Sequence, residues 1–134
     1  MNQDAPKKFA LIIEDNESIS MLYRETLEMV GFATQIVHDG QEAIDTLDKL
    51  QPDIILLDVN LPHVSGHYIL RHIRGAEAHH NTPVIISTAN TVIANAMQED
   101  LAEKDILMIK PIDIRDLQQL SLRLTNSNPR TDSH

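Results

Sequence analysis

The sequence predicts an α/β fold built on a parallel sheet, and three features support this prediction. Five short apolar runs alternate along the chain with segments of helical periodicity. The central runs lack the polar alternation of a half-exposed strand, as expected when helices cover both faces of a sheet. The length of 134 residues and the 42% share of hydrophobic residues suit one domain with a packed core.

The first strand and helix come from the segment 8–31. The run KFALII at 8–13 predicts a strand, and the residues after it have the i, i+3, i+4 spacing of an amphipathic helix that ends at Gly31. The apolar positions of this helix are Ile19, Leu22, Tyr23, Leu27 and Val30. The next run, FATQIVH at 32–38, predicts the second strand.

The middle of the chain continues the alternation. The segment 39–50 predicts a helix with Asp39 as its N-cap and Glu42 as the capping-box partner. The run DIILLD at 53–58 predicts the third strand, and the loop VNLPHVS leads to another helix. The apolar positions of that helix are Ile69, Leu70 and Ile73.

Two more strand–helix pairs complete the pattern. PVIIST at 83–88 predicts the fourth strand, and a helix near 91–103 follows it. We expect this helix to bury Ile93, Ala96, Met97 and Leu101. DILMIKP at 105–111 predicts the fifth strand, and a last helix begins near Asp113. Its apolar positions are Leu117, Leu120 and Leu124.

Composition excludes several classes of function. The net charge is −9, and the 11 basic residues are scattered among 20 acidic ones, which opposes direct nucleic-acid binding. The absence of cysteine excludes disulfides and thiolate metal sites. No segment resembles a signal peptide or a membrane span, so we expect a cytoplasmic protein without membrane insertion. We expect one domain over 7–125, with flexible ends at 1–6 and 126–134.

Polar residues gather where the predicted strands end, and ligands of open parallel sheets bind beyond those carboxyl ends. The residues concerned are Glu14, Asp15, Asp58, Ser87, Thr88 and Lys110. Three carboxylates with one lysine are under-neutralised, and an all-oxygen ligand set favours a hard divalent cation, with Mg²⁺ as the best candidate. A metal, a lysine and a hydroxyl around a carboxylate suit phosphoryl transfer onto that carboxylate.

Each of these residues alone also has a simpler interpretation. Glu14 and Asp15 could be solvated acids at the start of a helix, and Thr88 could be an ordinary strand-end hydroxyl. Lys110 followed by Pro111 could be a turn signal. The convergence of these four residues, Glu14, Asp15, Thr88 and Lys110, on adjacent strand ends favours a functional site.

Five of the seven histidines lie between positions 63 and 80. His63 and His67 have the i, i+4 spacing of half a zinc site. Pro62 and Gly66, however, place His63 in the loop before the helix, so the two rings do not share a helical face. We therefore expect surface histidines rather than a zinc site.

Four motifs together resemble the receiver domain of two-component response regulators, over residues 7 to about 125. The motifs are LIIEDN, DIILLDVNLPHVSG, PVIISTA and IKP. Each is weak alone, but their order and their spacing, with 30 residues from Asp58 to Thr88 and 22 from Thr88 to Lys110, make a strong signal. The resemblance implies a doubly wound, flavodoxin-like (CheY-like) sheet of five parallel strands in the order 2-1-3-4-5.

The resemblance also implies a phosphoacceptor and a metal site. Asp58 matches the carboxylate that accepts a phosphoryl group from a sensor histidine kinase or a histidine phosphotransferase. Glu14 and Asp15 match the pair that holds Mg²⁺ together with Asp58, and the backbone carbonyl of Asn60 would be a further ligand.

Other positions match residues that assist the phosphoacceptor. Lys110 resembles the lysine that pairs with the acceptor carboxylate, and Thr88 resembles the hydroxyl that bonds the phosphoryl group. Asn60 and Asn90 occupy positions that tune the lifetime of the acyl phosphate in the family, although Asn90 could simply be an N-cap. Leu107 departs from the family, because an aromatic residue usually stands three positions before the lysine.

These features predict a stand-alone response regulator that signals to an unknown downstream protein by contact. It would be a switch that catalyses only its own phosphorylation and dephosphorylation, rather than a turnover enzyme. One alternative is a pseudo-receiver adaptor, which Leu107 leaves open. A haloacid-dehalogenase-like phosphatase is less favoured, because Asn60 stands where that class needs a second Asp and the chain has no room for its cap domain.

Overall fold

Five strands alternate with five helices in the part of the chain that the structure, a computed structural model, describes, residues 7–126. The strands are β1 (Lys8–Ile13), β2 (Phe32–Val37), β3 (Ile54–Asp58), β4 (Val84–Thr88) and β5 (Ile106–Ile109). The helices are α1 (Glu17–Glu28), α2 (Gly40–Leu47), α3 (Gly66–Gly75), α4 (Thr91–Met97) and α5 (Ile114–Asn126). The ends predicted to be flexible are 1–6 and 126–134. Residues 1–6 and 127–134 lie outside the described residues, and Asn126 is the last residue of α5.

The strands form one parallel sheet in the order β2-β1-β3-β4-β5, which confirms the predicted topology. The direction of winding reverses between β1 and β3, so the carboxyl ends of these two strands flank the crevice where such sheets bind ligands. In the register of the sheet, Asp58 pairs with Ser87 and Thr88 pairs with Ile109. The residues predicted to form the site therefore lie at one edge of the sheet.

Side chains alternate between the two faces of the sheet, and each face has its own core. On one face, which we call the α1/α5 face, strand residues such as Ile12, Leu56 and Ile85 pack against α1 and α5. On the other, the α2/α3/α4 face, residues such as Leu57 and Ile86 pack against the remaining helices. Burying each Leu or Ile contributes about 1.5–3 kcal/mol. Between residues 7 and 126, no helix combines the length and the apolar character that crossing a membrane requires.

The first helix is shorter than predicted. It ends at Glu28 with Met29 as its C-cap, and Gly31 lies beyond it with a positive φ of 100°. Leu22, predicted to face the core, is 44% exposed. The buried stripe includes Ser20, Tyr23 and Leu27, and Leu22 is one position away from Tyr23, a rotation of about 100° around the helix.

The fourth helix also ends early. It stops at Met97 and continues as a 3₁₀ turn, Gln98–Asp100, so Leu101 has an extended backbone instead of lying in the helix. Ala96 was predicted to be buried but is exposed, because Ala94 and Met97, three positions apart, form the buried stripe. Ile93 and Leu101 are partly buried against the core, as predicted for the apolar side of this segment.

The N-cap of α2 is the predicted one. The Oδ1 atom of Asp39 accepts the Glu42 N–H at 2.8 Å. The Glu42 carboxylate reaches back to the N–H of His38 at 3.1 Å, one residue before the cap, so the reciprocal bond of a capping box goes to a different partner than predicted.

Two glycines hold the loop that follows β3. Gly66 begins α3, and a Cβ at that position would collide with the backbone of Val59. Gly40 begins α2, and a Cβ there would collide with Val64. The starts of two helices therefore pack directly on the loop that carries the chain away from Asp58.

A buried ion pair lies at the opposite, amino edge of the sheet. Arg74, near the end of α3, pairs with Asp105, which precedes β5 and whose side chain is 0% exposed. Arg74 also donates to the backbone carbonyls of His80, at 2.7 Å, and Thr82, at 2.8 Å. Asp105 accepts the N–H of Ala102 at 2.8 Å. This network ties α3, the loop before β4 and the start of β5 together.

Candidate functional site

Three carboxylates converge at the carboxyl edge of the sheet, as predicted. Glu14, Asp15 and Asp58 each place one oxygen within 4.8 Å of the others. Glu14 and Asp58 are only 1% and 2% exposed, whereas Asp15 is exposed to solvent. The donor set consists of oxygens alone, two of them on buried acids, and it fits a small hard cation such as Mg²⁺.

Backbone N–H groups fix the two buried acids. The Asn60 N–H donates to Asp58 Oδ1 at 3.1 Å, and the Asn16 N–H donates to Glu14 Oε2 at 3.2 Å. Asn16 is also the N-cap of α1, since its Oδ1 accepts the Ile19 N–H at 2.9 Å. Sequence reasoning did not single out Asn16, although an Asn directly before a helical segment is a recognisable N-cap signal.

Lys110 bridges the two buried acids. Its Nζ donates to Glu14 Oε1 at 3.1 Å and lies 3.5 Å from Asp58 Oδ2. The predicted contact with Asp58 is therefore present, but the shorter contact is with Glu14. Glu14 follows β1 and Asp58 ends the neighbouring strand β3, so one ammonium group reaches both carboxylates and neutralises only one of the two charges.

The remaining negative charge affects proton binding. Burial, and after it the charge of Asp58, raises the pKa of Glu14 to about 7, while the Asn16 N–H and Lys110 act in the opposite direction. Burial and then the charges of Glu14 and Asp58 also raise the pKa of Tyr23, on α1, to about 12. The site is thus short of positive charge near neutral pH, a condition that a bound cation relieves.

Thr88 ends β4, and Asn90, two positions later, is the N-cap of α4. Thr88 is completely buried, and its Oγ1 accepts the Asn90 N–H at 3.0 Å. The Asn90 Oδ1 in turn accepts the N–H groups of Val92, at 2.9 Å, and Ile93, at 3.1 Å. The structure therefore shows Asn90 as an N-cap, and the exposed side chains of Asn60 and Asn90 both lie beside the site.

Strand alternation separates Leu107 from the lysine. Leu107 is partly buried and packs against the core of the α2/α3/α4 face, which includes the fully buried Leu57 and Ile86. Met108 packs on the α1/α5 face. Strand alternation places Lys110, two residues further along and just after β5, on the same face. The residue that replaces the family's aromatic side chain therefore lies on the other side of the sheet from Lys110.

The histidines differ from the prediction at one position. His63 lies in the loop after β3 with a positive φ of 72°, and His67, on α3, contacts Asp100 through its Nε2 at 2.6 Å. His79 is only 2% exposed rather than on the surface, and its Nε2 lies 2.6 Å from the carbonyl oxygen of Leu47. The loop after α3 turns this ring inward against the end of α2.

Comparison with known proteins agrees with this geometry. A family model described as the response regulator receiver domain matches residues 10–121. The transcriptional regulatory protein TrcR of Mycobacterium tuberculosis is 33% identical over 107 residues, which cover 80% of this chain and 41% of TrcR. The transcriptional regulatory protein CpxR of Escherichia coli K12 is 36% identical over 108 residues, 80% of this chain and 44% of CpxR. The chain thus spans less than half the length of these two relatives.

Solved structures show the same relationship. The receiver domain of the sensor histidine kinase PA1611 from Pseudomonas aeruginosa, which has a magnesium ion in its active site cleft, superposes with a TM-score of 0.80 at 26% identity, covering 90% of this chain and 99% of that one. A signal receiver domain of a histidine kinase from Syntrophus aciditrophicus gives a TM-score of 0.82 at 28% identity, covering 95% and 96%. The chain belongs to the response regulator receiver domains, the phosphoaccepting switches of two-component signalling.

Proposed function

We propose that this receiver domain accepts a phosphoryl group on Asp58 from the phosphohistidine of a sensor histidine kinase or a histidine phosphotransferase, with Mg²⁺ as cofactor. The observation that carries the proposal is the placement of Asp58. Its carboxylate is buried at the end of β3, within reach of Lys110 and grouped with Glu14 and Asp15. These residues resemble the site of the family in both identity and arrangement.

In the proposed reaction, an oxygen of Asp58 attacks the phosphorus atom of the phosphohistidine. The P–N bond breaks, and its electron pair leaves with the imidazole nitrogen, which takes up a proton. Glu14, Asp15, Asp58 and the backbone carbonyl of Asn60 would hold Mg²⁺, which would supply positive charge against the carboxylates and the incoming phosphoryl oxygens.

Two further residues stabilise the product. Lys110 lies 3.5 Å from Asp58 Oδ2 and provides a positive charge for a phosphoryl oxygen. Thr88 Oγ1 accepts the Asn90 N–H, so its own O–H can donate to the phosphoryl group. The domain thereby promotes its own phosphorylation without turning over a separate substrate.

The proposal is tested by incubating the protein with acetyl phosphate and Mg²⁺ and recording its intact mass. We expect one labile phosphate adduct that disappears in Asp58→Asn and in the presence of a chelator. If neither acetyl phosphate nor a histidine kinase gives an adduct, the chain is an adaptor and the proposal is wrong. Continuous release of phosphate from a small phosphate ester would instead indicate a phosphatase.

We also propose that Asn60 and Asn90 set the lifetime of the acyl phosphate. Both side chains are exposed beside Asp58 and Thr88, where larger groups would cover the path of an attacking water molecule. Asn60→Arg and Asn90→Glu should therefore slow the decay of the adduct. Asn90→Ser is the control, because it keeps a capping oxygen for α4 without adding bulk. The proposal fails if the decay is unchanged in both larger variants.

The output of the switch is proposed to be a contact with a separate downstream protein. The net charge of −9 opposes direct contact with nucleic-acid phosphates. Because Asn90 caps α4 and its N–H donates to Thr88 Oγ1, a change at Thr88 is transmitted to the surface of that helix. Binding of candidate partners to the phosphorylated protein, compared with Asp58→Asn, tests this part of the proposal.

A further inference from the structure

Ser87, the last residue but one of β4, has a buried hydroxyl without a hydrogen-bond partner among the described residues. The residue is 0% exposed, and an unsatisfied hydroxyl in such a position lowers the stability of the fold. Buried polar groups usually have partners, so an exception calls for a reason. One such reason is that the hydroxyl gains a hydrogen-bond partner when the site is phosphorylated.

The register of the sheet shows which way this side chain points. Ser87 pairs with Asp58 on β3, and paired residues on neighbouring parallel strands project from the same face. Leu56 and Ile85, the pair two positions earlier, both lie in the core of the α1/α5 face. Ser87 and Asp58 therefore share that face, whereas Thr88 projects from the other one.

Lys110 passes over this part of the sheet. It follows β5, yet its Nζ contacts Asp58 on β3 and Glu14 beyond β1. Strand alternation from Met108 puts Lys110 on the α1/α5 face, and β4 lies between β5 and β3, so we infer that the lysine side chain crosses β4 on that face. Ser87 is the β4 residue that projects from this face at the level of Asp58.

The ammonium group has capacity for another partner. Lysine carries three N–H donors, and the contacts of Lys110 are with one oxygen of Glu14 and one of Asp58. A phosphoryl group attached to Asp58 adds negatively charged oxygens close to Lys110, and these oxygens compete with Glu14 for its ammonium group. A shift of the lysine towards those oxygens would take its ammonium group away from Glu14 and towards the β4 side of Asp58, where Ser87 lies.

We propose that Ser87 is a positioning residue whose hydroxyl accepts a hydrogen bond from the Lys110 ammonium group when Lys110 leaves Glu14 for the phosphoryl group on Asp58. This inference rests on the proposed phosphorylation of Asp58. In the unphosphorylated protein the hydroxyl has no hydrogen-bond partner among residues 7–126, and this lowers the free energy of unfolding. In the transition state the hydroxyl holds the lysine over the reacting oxygens.

The first test is Ser87→Ala, with two measurements. The free energy of unfolding without metal should stay the same or rise, because the substitution removes an unsatisfied hydroxyl. The initial rate of phosphorylation by acetyl phosphate at saturating Mg²⁺ should fall about tenfold, the effect of losing one hydrogen bond to a charged group. A clear loss of stability would show that the hydroxyl already has a partner, and an unchanged rate would show that it never gains one. Either outcome overturns the inference.

The second test uses a matched pair of variants. Threonine and valine have nearly the same shape, so Ser87→Thr and Ser87→Val add the same bulk and differ in the hydroxyl. We expect Ser87→Thr to phosphorylate several times faster than Ser87→Val, and equal rates would overturn the inference. Wild type that takes up no phosphate under the same conditions contradicts the proposed function itself, so the two failures are distinguishable.

Discussion

The two edges of the sheet both bury charged side chains, but they differ in the balance of positive and negative charge. At the amino edge, Asp105 faces one guanidinium group, and Arg74 also donates to three backbone carbonyls. At the carboxyl edge, Lys110 is shared between Glu14 and Asp58, and a third carboxylate, Asp15, lies beside them. One edge is balanced in charge and the other is not.

The difference separates a structural use of charge from a functional one. A buried ion pair that is also hydrogen-bonded to the backbone holds segments together and does not call for a further cation. A buried carboxylate cluster with too little positive charge gains stability from any cation or proton that enters it. The imbalance at the carboxyl edge is therefore what prepares the site for a metal ion, and substitutions at the two edges should differ in kind.

The largest effect is expected at the amino edge. Arg74→Met should lower the free energy of unfolding by about 3 kcal/mol or more, because it leaves the buried Asp105 carboxylate without its partner. Urea unfolding measures the loss. The double variant Arg74→Met with Asp105→Leu is the control, since replacing both charges with apolar side chains should recover most of it. A single variant as stable as wild type would contradict the structural role of this pair.

The next effect is a pH dependence at the carboxyl edge. The pKa of Glu14 is raised from 4.5 to about 7, so the folded state binds this proton more tightly than the unfolded state does. The resulting stability is fully present below pH 4.5 and is lost as the pH rises through about 7. Metal-free protein should therefore lose at most about 3 kcal/mol over this range, at ~1.36 kcal/mol per pKa unit.

Glu14→Gln sharpens that test, because glutamine keeps an acceptor for Lys110 and does not titrate. Urea unfolding at several pH values, with chelator present, should give a flatter stability profile for this variant. Glu17→Gln, at the exposed first turn of α1, is the control and should keep the wild-type profile. Identical profiles for wild type and Glu14→Gln would mean that the carboxyl edge is not short of positive charge.

The smallest effect concerns the backbone next to the site. His63 has a φ of 72°, a region that costs a non-glycine residue about 1–2 kcal/mol. His63→Gly should raise the free energy of unfolding by about 0.5–1 kcal/mol, once the greater freedom of glycine in the unfolded chain is subtracted. His80→Gly, in an exposed loop at the other edge, should give no gain. Thermal unfolding of the two variants measures the difference, and a loss of stability in His63→Gly would contradict it.

Periodicity and strand-end chemistry predicted the order of the elements and the meeting of Glu14, Asp58 and Lys110. They could not predict where α1 and α4 end, because capping and a 3₁₀ turn decide helix ends locally. The exposure of Leu22 and Ala96 depends on which side of each helix contacts the sheet, and a wide apolar stripe leaves that open.

Contacts between distant residues were also beyond the sequence pattern. The pairing of Arg74 with Asp105 joins residues 31 positions apart, and neither position belongs to a motif. The burial of His79 depends on the path of the loop after α3. The shorter contact of Lys110 with Glu14 rather than Asp58 is a matter of distances within the site, which strand order alone does not determine.

The loop after β3 also limits which sequences this fold accepts. Gly40 and Gly66 belong to two different helices, and at both positions any β-carbon would push against the loop that leaves Asp58. In a saturation-mutagenesis library, these two positions should therefore be as intolerant of substitution as the phosphoacceptor itself, although neither carries a functional group. A search for catalytic residues that uses only intolerance to substitution would select both glycines, although their intolerance comes from a lack of space for a β-carbon.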